Sequence, residues 1–154
     1  MNTVVALRAT FDGTLPDLDH LPPNGDRVPG RELANVITTG MRRLGFHVQD
    51  VSYEEPFFST RCRSGTYEYE ILSFVGLPDK IDATWVVECR PVLGLLSRLM
   101  GRSEEQELEA VLKAIHEVLT GESRVTEIRW FKTLPSDPFR ARKYWSSPTD
   151  SGLK

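Results

Sequence analysis

Between Phe57 and Val75 two strand-like runs meet at Ser64-Gly65, a connection too short for anything but antiparallel neighbours. In the second run Tyr67, Tyr69, Ile71 and Val75 alternate with Glu68, Glu70, Leu72 and Phe74. Successive side chains of a strand point to opposite faces, so one face is apolar throughout while the other passes from acidic to apolar. The acidic half is expected to meet water. The apolar face needs a second layer to cover it, and the rest of the chain must supply that layer.

The other segments read in the same way. Val4, Val5, Ala6, Leu7, Ala9 and Phe11 form a short apolar run within residues 3 to 11, expected to be a central strand. From Thr14 to Pro29, Pro16, Pro22, Pro23, Gly25 and Pro29 exclude a regular element, which predicts a long loop of the sort that often carries function. Gly30 to Gly45 reads as a helix with Leu33, Ile37, Met41 and Leu44 on one stripe and Gly45 as a left-handed C-terminal cap. Phe46 to Val51 and Phe57 to Arg63 read as strands, followed by Thr66 to Val75 and by a run in which Ala83, Trp85, Val87 and Cys89 share a face until Pro91 ends it.

The best helix is expected to begin at Ser103, which with Gln106 has the spacing of a capping box, and to stop at Gly121. Leu108, Val111, Leu112, Ile115, Val118 and Leu119 form its apolar stripe. Arg124 to Lys132 reads as a last strand. The fold class is therefore α+β, a mainly antiparallel sheet of about five to six strands with two principal helices on one face. Residues 1–132 form the domain, and 133–154 an irregular basic and aromatic tail.

At 154 residues the chain is long enough for one domain with a real core, on the order of 70% of its unfolded surface being buried. Only Cys62 and Cys89 are present, expected to be buried, reduced thiols, with a disulfide as the other reading. The N-terminal residues lack the pattern of a secretory signal, and no apolar run reaches the roughly 20 residues that span a bilayer. A cytoplasmic chain without a membrane anchor is expected.

The formal charge of −3 is unevenly spread. Beyond residue 132, Arg140, Arg142, Lys143 and Lys154 outnumber Asp137 and Asp150, giving the tail +2 and leaving −5 on residues 1–132. Basic residues interleaved with aromatics are what a single-stranded nucleic acid would meet, but an acidic body repels phosphate. Nucleic acid is thus disfavoured, and Phe139, Tyr144 and Trp145 are expected to pack onto the domain or onto a partner.

No phosphate-binding loop, dinucleotide fingerprint, nucleophile elbow, zincin motif or CxxC pair occurs. The histidines His20, His47 and His116 are scattered, His116 at the edge of the long helix's buried stripe. Asp17, Asp19 and His20, with Asp12 nearby, have residue types that could ligate a divalent metal or share a proton, although acidic residues in a proline-rich loop ordinarily form turns. No catalytic residue, metal or cofactor is assigned. The apolar segment from Val92 to Met100 either plugs the core or forms an interface through Leu96, Leu99 and Met100.

A small acidic α+β chain without a catalytic constellation is similar to the small bacterial immunity proteins, which bind and block a toxin from a neighbouring cell. The run from Gly30-Arg31-Glu32-Leu33 to Leu44-Gly45-Phe46, with Trp85-Val86-Val87-Glu88, also resembles small uncharacterised bacterial proteins. What the resemblance implies is a non-enzymatic inhibitor with a protein partner, a basic toxin or enzyme. The acidic positions that such a partner would meet are Asp12, Asp17, Asp19 and Asp26, or Glu104, Glu105 and Glu109. Two other readings stand beside it: a homo-oligomeric adaptor that uses the 92–100 segment and the aromatic tail, and a small enzyme or metal binder that uses the Asp17, Asp19, His20 loop.

Overall fold

The computed structural model describes residues 1–11, 30–77, 84–92 and 101–150. The elements are β1 (Val4–Ala9), α1 (Arg31–Arg43), β2 (His47–Val48), β3 (Ser52–Glu54), β4 (Phe57–Ser64), β5 (Tyr67–Leu77), β6 (Thr84–Pro91), α2 (Gly101–Gly121) and β7 (Val125–Phe131). They form an α+β fold with one sheet in the order β2-β4-β5-β6-β1-β7, β3 pairing with the other half of β4. Every strand pair is antiparallel.

Among the described residues seven strands stand where five to six were expected, because the expected strand from Phe46 to Val51 is only His47–Val48 and a further short strand, Ser52–Glu54, follows beyond Val51. His47 and Val48 pair with Arg63 and Cys62, and Ser52 to Glu54 pair with Ser59 to Phe57. Side chains tie the chain down between them. Arg42 donates to the Val48 carbonyl (2.9 and 3.0 Å) and to Asp50 (2.8 Å), while the Thr60 hydroxyl donates to the Gln49 carbonyl (2.7 Å). The β4–β5 hairpin is as expected, with its turn one residue later. Ser64 pairs with Tyr67, so Gly65 and Thr66 form the two-residue turn, and Gly65 adopts φ +57, which both primed hairpin turns require at their first central position.

Register puts Val5, Leu7, Cys62, Tyr69, Ile71, Trp85, Val87, Cys89 and Trp130 on one face of the sheet, where they pack with Leu33, Ile37 and Met41 of α1 and Val111, Leu112, Ile115 and Leu119 of α2. Both helices therefore lie on that face. The α1 stripe ends at Met41; Leu44 follows the last helical residue and is 40% exposed, not part of the core as its spacing suggests. Gly45 does supply the left-handed cap, with φ +91 and its N–H donating to the Arg42 carbonyl at 3.0 Å. α2 begins at Gly101, so Ser103 lies inside the first turn instead of capping it. No helix among the described residues is long and apolar enough to cross a membrane.

The far face is apolar as well over its middle strands. Val4, Ala6, Val86 and Phe131 are buried there, and the tail covers them with Leu134, Phe139, Ala141 and Tyr144. Arg129 holds the tail in place. It donates to the carbonyls of Pro138 (3.2 Å) and Phe139 (2.9 Å) and lies over the Tyr144 ring at 4.4 Å, while Arg8 lies over Phe139 at 4.5 Å. The tail then returns along the sheet edge, where Trp130 and Trp145 exchange backbone hydrogen bonds of 2.9 and 3.0 Å.

The two helices meet at Gly40. A Cβ there would stand 2.5 Å from a Val118 methyl carbon, so hydrogen is the largest substituent the crossing admits without movement. Helix propensity alone would favour alanine at this position by about 1 kcal/mol. The expected outcome for Gly40→Ala is instead a loss of about 1–3 kcal/mol, the range for overpacking, read from the denaturant midpoint. Adding Val118→Ala to make room should restore part of the loss, whereas additive losses would show that the contact is not the cause.

Candidate functional site

The acidic candidates that the structure describes all lie on the first half of α2, and the hairpin fixes this half from below. The Ser64 hydroxyl donates to the Glu107 carboxylate at 2.5 Å, and the Tyr69 hydroxyl donates to the Glu104 backbone carbonyl at 3.2 Å. With that side tied to β4 and β5, Glu105 is exposed and Glu104 and Glu109 are half-buried, Glu109 accepting from Lys113 at 2.5 Å. One helix turn and a half thus presents its glutamates from a helix held to the sheet at Glu104 and Glu107. Asp12, Asp17, Asp19, Asp26 and His20, together with Leu96, Leu99 and Met100, lie outside the described residues. Among the described residues no group of three His, Cys, Asp or Glu side chains could hold a metal ion.

The aromatic candidates separate. Phe139 and Tyr144 cover the far face, while Trp145 packs toward the helix side, with the Lys132 ammonium 5.8 Å from the centre of its ring. Trp145 and Glu109, far apart in sequence, come together there in the wall of a cavity of about 470 Å³. Met1, Asn2, Lys132, Pro148, Thr149 and Asp150 complete its lining. Sequence reasoning missed Asn2 and Lys132. Nothing in a linear reading signals that the first two residues, the end of β7 and the tail converge.

A second hollow, of about 520 Å³, lies on the outer side of the helix pair. Val36, Leu44, Gly40 and Val118 form its floor, and Glu32, Glu117, Glu122 and Arg43 stand around it. Two of these carboxylates are already engaged: Arg124 makes ion pairs with Glu32 and with Glu122, the latter at 2.8 Å, and its hydrogen bonds hold the Glu122 carboxyl below the ordinary range. The same guanidinium lies 4.8 Å over the Phe11 ring.

Neither cysteine is placed for nucleophilic work. Cys62 and Cys89 are buried and unbridged, and burial pushes the Cys62 thiol up to about 11 and raises Cys89 further from its ordinary value. Burial also raises the Tyr69 hydroxyl, with Glu104 adding to the effect. These groups remain neutral at physiological pH.

His116 joins α2 to β7. Its Nδ1 accepts from Trp130 Nε1 at 3.1 Å, which requires the neutral imidazole, and burial holds the ring below its ordinary value of 6.5. The unfolded chain therefore takes up this proton more readily than the folded one. The stability that neutral His116 contributes is present above pH 6.5 and is lost as pH falls through the depressed folded value. Melting temperatures from about pH 8 down to about pH 5.5 should fall in the wild type and fall less in His116→Gln, whose amide oxygen can accept the indole N–H at every pH. Parallel curves would remove His116 from the account. A comparison of the chain with known protein families, with curated proteins and with solved structures finds no match.

Proposed function

We propose that this chain is a non-enzymatic binding protein of the inhibitor or immunity type, which meets a basic protein partner through the glutamate-bearing first half of α2. The observation that carries this reading is the attachment of that half-helix to the β4–β5 hairpin through Ser64–Glu107 and Tyr69–Glu104. A charged surface that is already rigid loses little conformational entropy on binding. Fixed negative charge on an acidic body also raises the encounter rate with a basic partner while repelling acidic ones.

The reading in which the chain assembles with itself through its tail draws less support. Phe139 and Tyr144 are spent on the chain's own sheet, and Trp145 on its edge. Among the described residues the exposed positions of the tail are Thr133, Ser136, Arg140, Arg142, Lys143 and Thr149, all of them polar.

The partner is identified by pull-down of neighbouring gene products co-expressed with the chain, and its association rate is then measured against ionic strength. The rate is expected to fall steeply with salt, and Glu105→Lys with Glu109→Lys is expected to slow it by about 10-fold or more at low salt. An association rate indifferent both to salt and to the charge reversal would refute this surface. A dimer that becomes a monomer when residues 133–154 are removed would favour self-assembly instead.

A further inference from the structure

Leu44 has the spacing of the buried stripe of α1, yet it follows the last helical residue and is 40% exposed. With Met1 it is one of two large hydrophobic side chains that stand exposed among the described residues. Its setting is not that of a solitary surface leucine. It lies at the hollow of about 520 Å³, a volume within the range of binding sites, beside Val36, Gly40 and Val118 where the two helices meet.

The charges around this apolar floor do not balance. Glu32, Glu117 and Glu122 stand against Arg43, and Arg124 adds its charge by pairing with Glu32 and Glu122, so one negative charge is in excess. Glu117 is exposed and has no ion-pair partner among the described residues. The helix ends add to the excess. A helix C-terminus carries partial negative charge on its last carbonyls, which basic residues in the last turn ordinarily offset. α1 has Arg42 and Arg43 there; α2, whose C-terminal Gly121 lines the hollow with Glu122, has none.

An apolar floor that leads to unbalanced negative charge fits a side chain with a long apolar stem and a cationic head. Arginine suits it better than lysine, because a guanidinium can donate to a carboxylate and to helix-end carbonyls at once. We infer that the hollow takes an arginine side chain of the protein partner, its stem along Val36, Val118 and Leu44 and its guanidinium against Glu117 and the last carbonyls of α2. That the arginine is the partner's rests on the reading of α2 as the partner surface. Glu105, Glu109, Lys113 and Glu117 recur at every fourth position and so share one side of α2. This ridge runs about 18 Å from Glu105 to the hollow, within the span of an ordinary interface. Exposed charges govern the encounter rate more than the lifetime of a complex, and a seated arginine supplies the anchor that they lack.

The probe is N-acetyl-arginine amide, titrated into the isotope-labelled full chain and followed by amide chemical shifts, with the similarly shaped but neutral N-acetyl-citrulline amide beside it. Saturable shifts are expected at Val36, Leu44, Val118 and Gly121, and the citrulline probe should bind about 5-fold or more weakly. Glu117→Lys should weaken the arginine probe by about 5-fold or more, and Leu44→Ser by about 3-fold or more. Both positions are exposed, so neither change disturbs the core. Overturning results are no saturable shift at the hollow, equal binding of the two probes, or unchanged affinity in both variants. A silent arginine probe beside an association rate that Glu105→Lys with Glu109→Lys slows removes the arginine site alone. A probe that binds while that reversal leaves association unchanged removes the α2 surface, and with it the partner as the source of the arginine.

Discussion

The middle strands of this sheet are apolar on both faces, and the rest of the structure follows from the need to cover each of them. In β1, Val4, Val5, Ala6 and Leu7 are all buried, and in β6 so are Thr84, Trp85, Val86 and Val87. A half-buried strand would alternate; continuous runs like these belong to a strand with layers above and below. One layer is the pair of helices. The other is irregular chain, the segment from Leu134 to Tyr144, and an irregular segment can form such a layer only when something other than helical hydrogen bonding fixes it. Arg129 does this: a single guanidinium binds two tail carbonyls and stacks on two tail rings.

The helix layer is held as closely. Gly40 lets α1 and α2 approach until Val118 occupies the place of a side chain, and α2 is tied in turn to the hairpin through Ser64 and Tyr69 and to β7 through His116 and Trp130. Trp130 then bonds by its backbone to Trp145, so α2, the edge of the sheet and the tail form one connected seam. Glutamates on the outer side of α2 and the cavity beside Trp145 both rest on that seam. The rigidity of these surfaces comes from hydrogen bonds within that seam.

Local patterning made much of this fold legible. The hairpin was readable because its alternation has period two and Gly65 marks the turn, and the helices because Leu33, Ile37 and Met41, and Val111, Leu112 and Ile115, recur at helical spacing. The break between β2 and β3 was not, since it depends on Arg42 and Thr60 reaching the chain from elsewhere. Leu44 had the correct spacing but follows the last helical residue, where the rotation that would bury it has ended. The tail was readable as too aromatic to be left in water, yet its destination was not, because the stacking of Arg8 and Arg129 on Phe139 joins residues more than a hundred positions apart in one case. Of the candidate surfaces, the acidity of α2 is visible in the sequence; the cavity lined by Asn2 and Lys132 exists only through convergence of four separate segments.

The central claim, that the tail is a structural layer and not an appendage, is tested most directly by unfolding a chain that ends at Lys132 in denaturant beside the full chain. Removing the tail uncovers Val4, Ala6, Val86 and Phe131 and leaves Arg129 without its carbonyl partners. Burial of a valine or phenylalanine side chain is worth about 1.5–3 kcal/mol, and three of these four are of that kind, so the truncated chain should lose several kcal/mol of stability or fail to fold. A truncated chain with the same midpoint and the same cooperativity as the full chain would contradict the account.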